Sequence, residues 1–431
     1  MTNKLWKRFG IGALALASAL TLVGCSGSPA DNTSSSDTTV PSSSPSSTEP
    51  DPLAGLTSSS DPLTVLFGSS GDAETAAVQA AVAAWSATSG IQVTATPADN
   101  LDQQMAQGFA GGKPADVFYL GTGVLAGYAD QGSLLAYGDL LPNKSDFYPS
   151  LIANFTYNGT FYAAPKDFST LGLEINDDLW TAAGLTAADY PTTWDQLHAV
   201  AQKLTTGDVT GLVVSGQYER LGAFMVQNGS NLMSADGTKV TANDQSNIDA
   251  LAFAKSMLAD GSMKFAADVS TGWGGEAFGK GVAAMTIEGN WITGAMNSDY
   301  SNINWTAVPL PAGPKGMGTL QFANGWGIAK DSPNQKAAVQ LVEFLTSKDQ
   351  QMKFASAFGV LPSIQSAASD WKTAFPKLAP FMDAVSYAQS VPTLKGSSQV
   401  IGDLNNQLAT LANTDPATIL NSVQTELEAL M

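Results

Sequence analysis

The feature that most constrains this chain is a rhythm near its start. Leu63-Thr64-Val65-Leu66-Phe67 reads as a strand. Ala73 to Thr88 reads as an Ala-rich helix with Val78, Val82 and Trp85 at helical spacing, stopped by Gly90, and Ile91-Gln92-Val93-Thr94-Ala95 reads as a second strand. Strand, helix and strand in that order imply a parallel sheet with crossover helices, so the fold class is α/β. A helix over 101–109 then leads through Gly111 to Ala115 into the strand Asp116-Val117-Phe118-Tyr119-Leu120, and Gly121-Thr122-Gly123 opens a new helix. The glycine pair permits close backbone approach, but the longer dinucleotide fingerprint is missing and no P-loop occurs. At 431 residues the chain is too long for one ordinary core and suggests two lobes.

Charge narrows the partners. Twenty Lys and Arg stand against 38 Asp and Glu, a net charge of −18. The first 24 residues hold Lys4, Lys7 and Arg8 and no acid, so without them the charge is three lower, −21. That disfavours nucleic acid or an anionic membrane surface as the recognised partner. One Cys and one His in the whole sequence exclude a disulfide framework, a Cys-cluster metal site and any built triad that does not use His198, which sits at a helix start in Thr193 to His198. No metal or cofactor is expected.

Residues 1–24 have a basic start and an apolar run from Phe9 to Val23, too short to span a bilayer comfortably, and read as a secretory leader. Leu22-Val23-Gly24-Cys25 resembles the lipobox of bacterial lipoproteins, in which the leader is cut before the Cys and that Cys is acylated; Cys25 is the only thiol available. Residues 25–60, rich in Ser, Thr, Pro and Asp, bury too little to fold and read as a tether holding a domain at the membrane face.

Farther along, Val282 to Ile287 reads as a short buried strand, preceded by Trp273-Gly274-Gly275 and followed at once by Glu288-Gly289-Asn290-Trp291. Ligands in open α/β folds sit at the carboxyl ends of strands, so this is a candidate binding edge. Indole faces can stack on the C–H face of a sugar ring while carboxylates and amides hold its hydroxyls. A core role for each Trp carries about equal weight, because Trp is highly buried on average. Ser70 and Asp72 lie in the first strand-to-helix loop, where Asp72 reads equally well as a helix cap. Tyr157-Asn158-Gly159-Thr160 reads as a hairpin turn, Lys166-Asp167 follows a rigidifying Pro165, and Gln217-Tyr218-Glu219-Arg220 reads as a loop after the strand 211–214, with Arg220 pairing Glu219 or serving as an ordinary surface charge.

The strand-turn-helix at Leu63 to Trp85, Pro114 to Phe118, Phe155 to Asn176, Pro191-Thr192-Thr193-Trp194-Asp195, Trp273 to Trp291 and Leu361-Pro362-Ser363 together resemble the family-1 extracellular solute-binding proteins of ABC sugar importers, the class that includes maltose-binding protein. The likeness covers essentially all of 61–431, in order. It implies a two-lobed, type II-like periplasmic-binding-protein fold with hinge crossovers: 61–168 plus 326–360 as one lobe, 169–325 plus 361–431 as the other, and crossings near Phe168 to Leu171, Phe322 to Trp326 and Gly359 to Pro362. It also implies a carbohydrate ligand held in the cleft and ABC permease subunits as partners. The bilayer would be reached through acylated Cys25 at the outer face of the cytoplasmic membrane, and the protein would act as a monomer. Stacking would fall to Trp273, Trp291 and Trp326, with Tyr218 beside them. Polar capture would fall to Ser70, Asp72, Asp167, Glu219, Glu288 and Asn290, with Gly275 giving close approach. A secreted glycosidase is the rival from another class, although no motif supplies paired acids. A receptor for a non-sugar solute is the third reading.

Overall fold

The computed structural model describes residues 51–431; the leader, Cys25 and the first part of the tether lie outside the described residues. The strands that carry the fold are β1 (Leu63–Gly68), β2 (Val93–Ala98), β3 (Val117–Gly121), the hairpin pair β4 (Thr156–Tyr157) and β5 (Thr160–Phe161), and β6 (Ala164–Asn176). They are followed by β7 (Thr210–Val214), β8 (Met263–Phe265), β9 (Ala283–Gly289), β10 (Trp305–Val308), β11 (Thr319–Ile328) and β12 (Ala388–Ser390). Ten of them form one sheet in the order β2-β1-β3-β11-β6-β9-β7-β8, with β10 beside β6 and β12 beside β11. β1 pairs in parallel with β2 and β3, and β7 with β8 and β9. These are two separate parallel units, each covered by helices as crossover connections demand.

Two strands join the units. β6 is buried at every residue but Ser169, which fits a strand covered on both faces. Its first half pairs with β11 and its second half with β9. β11 pairs β3 beyond a bulge at Asn324/Gly325. A third passage lies beside β6, where Phe168 and Leu361 exchange backbone hydrogen bonds of 3.1 Å in both directions. The apolar side chains divide accordingly. One core gathers Phe67, Val82, Trp326 and Leu341 beneath the helix Asp72–Ser89. Another gathers Leu173, Leu212, Met285 and Leu404. Between them Phe168, Leu361, Trp371 and Phe381 pack at the crossings. The close approach there needs Gly172, where a Cβ would fall 2.8 Å from the Phe381 ring.

Local signals explain the elements. The helix Asp72–Ser89 buries Val78, Val82 and Trp85 and ends at Gly90, whose φ of 76° closes the last turn. Asn158 and Gly159 take φ of 48° and 75°, the left-handed pair a two-residue hairpin requires. Two segments depart from expectation. The tether read as running to residue 60 is already packed from Asp51: Leu53 is buried, Thr57 donates its hydroxyl to the Ser332 carbonyl at 2.9 Å, and Asp51 pairs with Lys336 at 2.6 Å. Residues 218–220 are the first turn of the helix Tyr218–Gln227, not a loop. β12 interrupts the C-terminal helices by adding to β11 in parallel. The helices Ser397–Leu408 and Pro416–Glu428 then supply Leu404, Leu408 and Val423 to the second core. Among the described residues no helix is long and apolar enough to cross a membrane.

Candidate functional site

A cavity of about 770 Å³ opens where β1, β3 and β9 end, lined by Gly68 to Ser70, Gly121 to Gly123 and Asn290-Trp291, with Lys166, Asp167 and Ser169 of β6 along it. It lies between the two parallel units, at the carboxyl ends of their strands, where open α/β sheets present loops to ligands.

One wall is built on a buried ion group. Glu74, in the first turn of its helix, accepts from the Ser70 amide at 2.8 Å and hydroxyl at 2.7 Å through Oε2. Its Oε1 accepts from the Tyr119 hydroxyl at 3.1 Å and from Lys166 Nζ at 3.3 Å. Lys166 also donates to Asp167, and its ammonium lies 4.3 Å from the Tyr119 ring centroid and 5.3 Å from that of Phe358. Burial opposes ionisation of Glu74, but Lys166 and the bonds from Ser70 and Tyr119 outweigh it and hold its carboxyl below the ordinary range. Burial pushes the Asp167 carboxyl up, only partly offset by Lys166 and reinforced by the charge of Glu74. Two acids and one base leave this wall rich in hydroxyl acceptors, with its one ammonium already shared.

The opposite wall is built around Trp291. β9 ends in Glu288, which is fully buried; its Oε2 accepts from Arg220 Nη2 at 2.6 Å, from Arg220 Nε at 3.0 Å and from the Trp291 indole N–H at 3.0 Å. The Arg220 guanidinium carbon lies 5.1 Å from the Trp291 ring centroid and the Phe322 ring meets the indole edgewise at 5.6 Å. Gly289 leaves room for the ring to fold back: a Cβ there would fall 2.1 Å from it. Asn290 donates its amide to the Gly359 carbonyl at 2.8 Å, tying this edge to the third crossing, while its Oδ1 is buried without a hydrogen-bond partner among the described residues. Behind Glu288, fully buried Glu174 accepts from the Glu288 amide at 3.0 Å. Burial, then the neighbouring Glu288 charge, drives the Glu174 carboxyl well above the usual glutamate range.

Of the residues singled out from sequence, Ser70, Asp167, Asn290 and Trp291 line the cavity. Glu288 stands one layer behind as the acceptor for Arg220 and Trp291. Asp72 is exposed and outside the lining. Tyr218 and Trp326 are fully buried, so neither ring has a face to offer: the Tyr218 hydroxyl donates to Asn231 at 2.6 Å and Trp326 packs edgewise on Tyr119 at 4.8 Å. Trp273 folds over Gly275, whose Cβ position lies 2.2 Å from the indole, and joins the core of Phe278 away from the cavity. The expected Glu219–Arg220 pair is absent: consecutive helical residues point about 100° apart, so Arg220 reaches Glu288 while Glu219 accepts from Asn405 at 3.0 Å. Sequence reasoning missed Glu74, Tyr119, Gln321, Asn324 and Phe358 in the lining. Only Glu74 left a signal, a Ser four residues before a Glu across a helix start, which also describes a plain cap. Among the described residues no three His, Cys, Asp or Glu gather as a metal site.

Comparison with known proteins gives the family. The family model described as "Bacterial extracellular solute-binding protein" matches residues 68–352. A binding protein of Brucella abortus is 24% identical over 351 residues, covering 78% of this chain and 84% of that one. Among solved structures, the GacH receptor of Streptomyces glaucescens, solved unliganded and with acarbose, superposes with a TM-score of 0.74 at 22% identity, covering 86% of this chain and 98% of that one. The cyclic alpha-maltosyl-1,6-maltose binding protein of Arthrobacter globiformis superposes with a TM-score of 0.76 at 20% identity, covering 85% and 98%. At these identities the structural likeness establishes the two-lobed fold.

Proposed function

Because this chain belongs to the bacterial extracellular solute-binding proteins, we propose that it is the substrate-binding subunit of an ABC importer, taking a carbohydrate between its two lobes and delivering it to a membrane permease. The observation that carries this reading is the pairing of unlike walls across one cavity: a clamped indole on one side and the Glu74–Lys166–Asp167 group on the other. The aromatic face suits the C–H surface of a pyranose, and the carboxylates accept its hydroxyl hydrogens. A ligand touching both walls stabilises the arrangement in which both are close, so binding shifts the lobes toward closure. The passages of β6, β11 and residues 359–362 are the places where that rotation would be absorbed. The carbohydrate ligands named for the two structural neighbours support the same class.

The protein is a binder and not a hydrolase in this reading, since the one ammonium is shared by both acids instead of leaving them as an independent acid and base. Cys25 is its acylation site, and the chain is held at the outer face of the bacterial cytoplasmic membrane as a monomer. The test is a thermal-stability screen against mono- and oligosaccharides, because a ligand that binds only the folded state raises the melting point. A shift confined to one sugar class supports the reading and identifies the cargo. No shift with any sugar, or release of reducing ends during incubation, contradicts it.

A further inference from the structure

Beside the main cavity lies a second, of about 380 Å³, within the size range of ligand sites. The two share Asn154, Gln321, Ser390 and Val391, so they adjoin at those residues. The chamber has the helix Pro149–Asn154 on one side and the turn 231–237 on the other, with 388–394 between.

Its chemistry differs from that of the main cavity. Tyr119, Trp291, Phe322 and Phe358 face the main space, whereas no aromatic side chain lines the chamber. The sole charged residue in its lining is Asp236, whose carboxyl is already engaged by the hydroxyls of Ser234 at 2.6 Å and Thr238 at 2.8 Å. The rest is amide, hydroxyl and small apolar surface. The junction is built and fixed: Gln321, fully buried, accepts from the Ser150 hydroxyl at 3.2 Å and donates to the Ser390 hydroxyl at 3.0 Å. Asn231 donates to Gln389 at 3.2 Å and to the Ser390 carbonyl at 3.3 Å. A surface of ordered neutral donors and acceptors is matched by hydroxyls. A phosphate or carboxylate would find no cation there.

Resting on the carbohydrate reading, we infer that the ligand is a linear, uncharged oligosaccharide, with one unit stacked at Trp291 and the following units passing the Gln321 junction into this chamber. A monosaccharide would leave the chamber to water. Each unit beyond the first few would be held by hydrogen bonds alone, so the gain from lengthening is modest, about tenfold, the worth of one or two net hydrogen bonds.

The test is calorimetric titration of the full protein with paired dimers and pentamers of α-1,4-glucan, β-1,4-glucan, β-1,4-xylan and β-1,4-mannan, repeated with Ala153→Trp. Ala153 is exposed and lines the chamber but not the main cavity, so an indole there fills the chamber without touching Trp291 or Glu74. Ala235→Trp does the same from the opposite wall and serves should the first variant misfold. The expected result is one series in which the pentamer binds about tenfold tighter than the dimer, with both variants losing that gain while binding the dimer as the wild type does. Equal affinity at both lengths, or a gain that survives both variants, overturns the chamber while leaving the carbohydrate reading intact. Binding by no member of any series overturns this inference, and together with no shift for any sugar in the thermal screen it overturns the carbohydrate reading as well.

Discussion

Trp291 and Glu174 show how much one side chain can depend on those around it. Trp291 is held at its indole nitrogen by Glu288, across its face by Arg220 and along its edge by Phe322, which fixes an aromatic platform before any ligand arrives. Trp291→Ala is expected to weaken sugar binding about a hundredfold, the scale of a central aromatic anchor, with the melting point little changed; wild-type affinity in the folded variant would remove Trp291 from the site. Glu174 acts on stability instead. Below the ordinary glutamate value of 4.5 both folded and unfolded chains hold its proton. As pH rises past that value the unfolded chain releases the proton and the fold keeps it, so stability declines until the raised folded value is passed. Glu288, also raised, acts with the same sign, while lowered Glu74 acts oppositely and only toward more acid pH. Urea midpoints should therefore fall as pH rises above the ordinary glutamate value of 4.5, and fall less in Glu174→Gln; identical slopes would exclude Glu174 as the source. Trp291 could be read from sequence because a strand end, a glycine and an indole stand in line. Glu174 could not, since its burial depends on β9 and β10 arriving on either side of β6 from more than 100 residues away.

At the scale of elements, strand ends and helix starts deliver the site, and Gly289, two residues before Trp291, decides whether that ring can lie down. Gly289→Ala would place a methyl group 2.1 Å from the Trp291 ring. β9 is paired to β6 through Gly289 and to β7 as far as Thr286, so the backbone would hold and the ring would be expelled. The expected outcome is a loss of sugar affinity approaching that of Trp291→Ala, together with a change in intrinsic tryptophan fluorescence. Unchanged affinity would mean that the ring does not need to fold back. The strands and helices of the first lobe were legible because period and punctuation agree, as at Val78, Val82, Trp85 and Gly90. The start at Tyr218 was not, because Gly216-Gln217 has the composition of a turn and the preference for a helix comes from packing Tyr218, Leu221 and Phe224 into the second core. β12 was illegible for a related reason: its three residues carry no alternation, and its pairing with β11 is a tertiary event.

At the scale of the molecule, the α/β class and two-lobed plan followed from the order of segments, whereas the layering of the cleft did not. Spacing along a chain does not say whether Trp326 faces ligand or core; the bulge at Asn324/Gly325 and the ring of Tyr119 decide that. The packing of Asp51 to Thr57 against Ser332 and Lys336 has a further consequence. It anchors the start of the described chain to the first core, while the helix Pro416–Glu428 anchors its other extreme to the second. Rotation about the crossings is therefore expected to change the separation of these two segments, both of which are accessible to labels. A donor dye at exposed Ala54 and an acceptor at exposed Glu428 should change energy transfer when a sugar is added, and a flat signal at saturating ligand would mean capture without rotation. A fold that rotates in this way would report its own occupancy optically, with neither label among the residues lining the cavity.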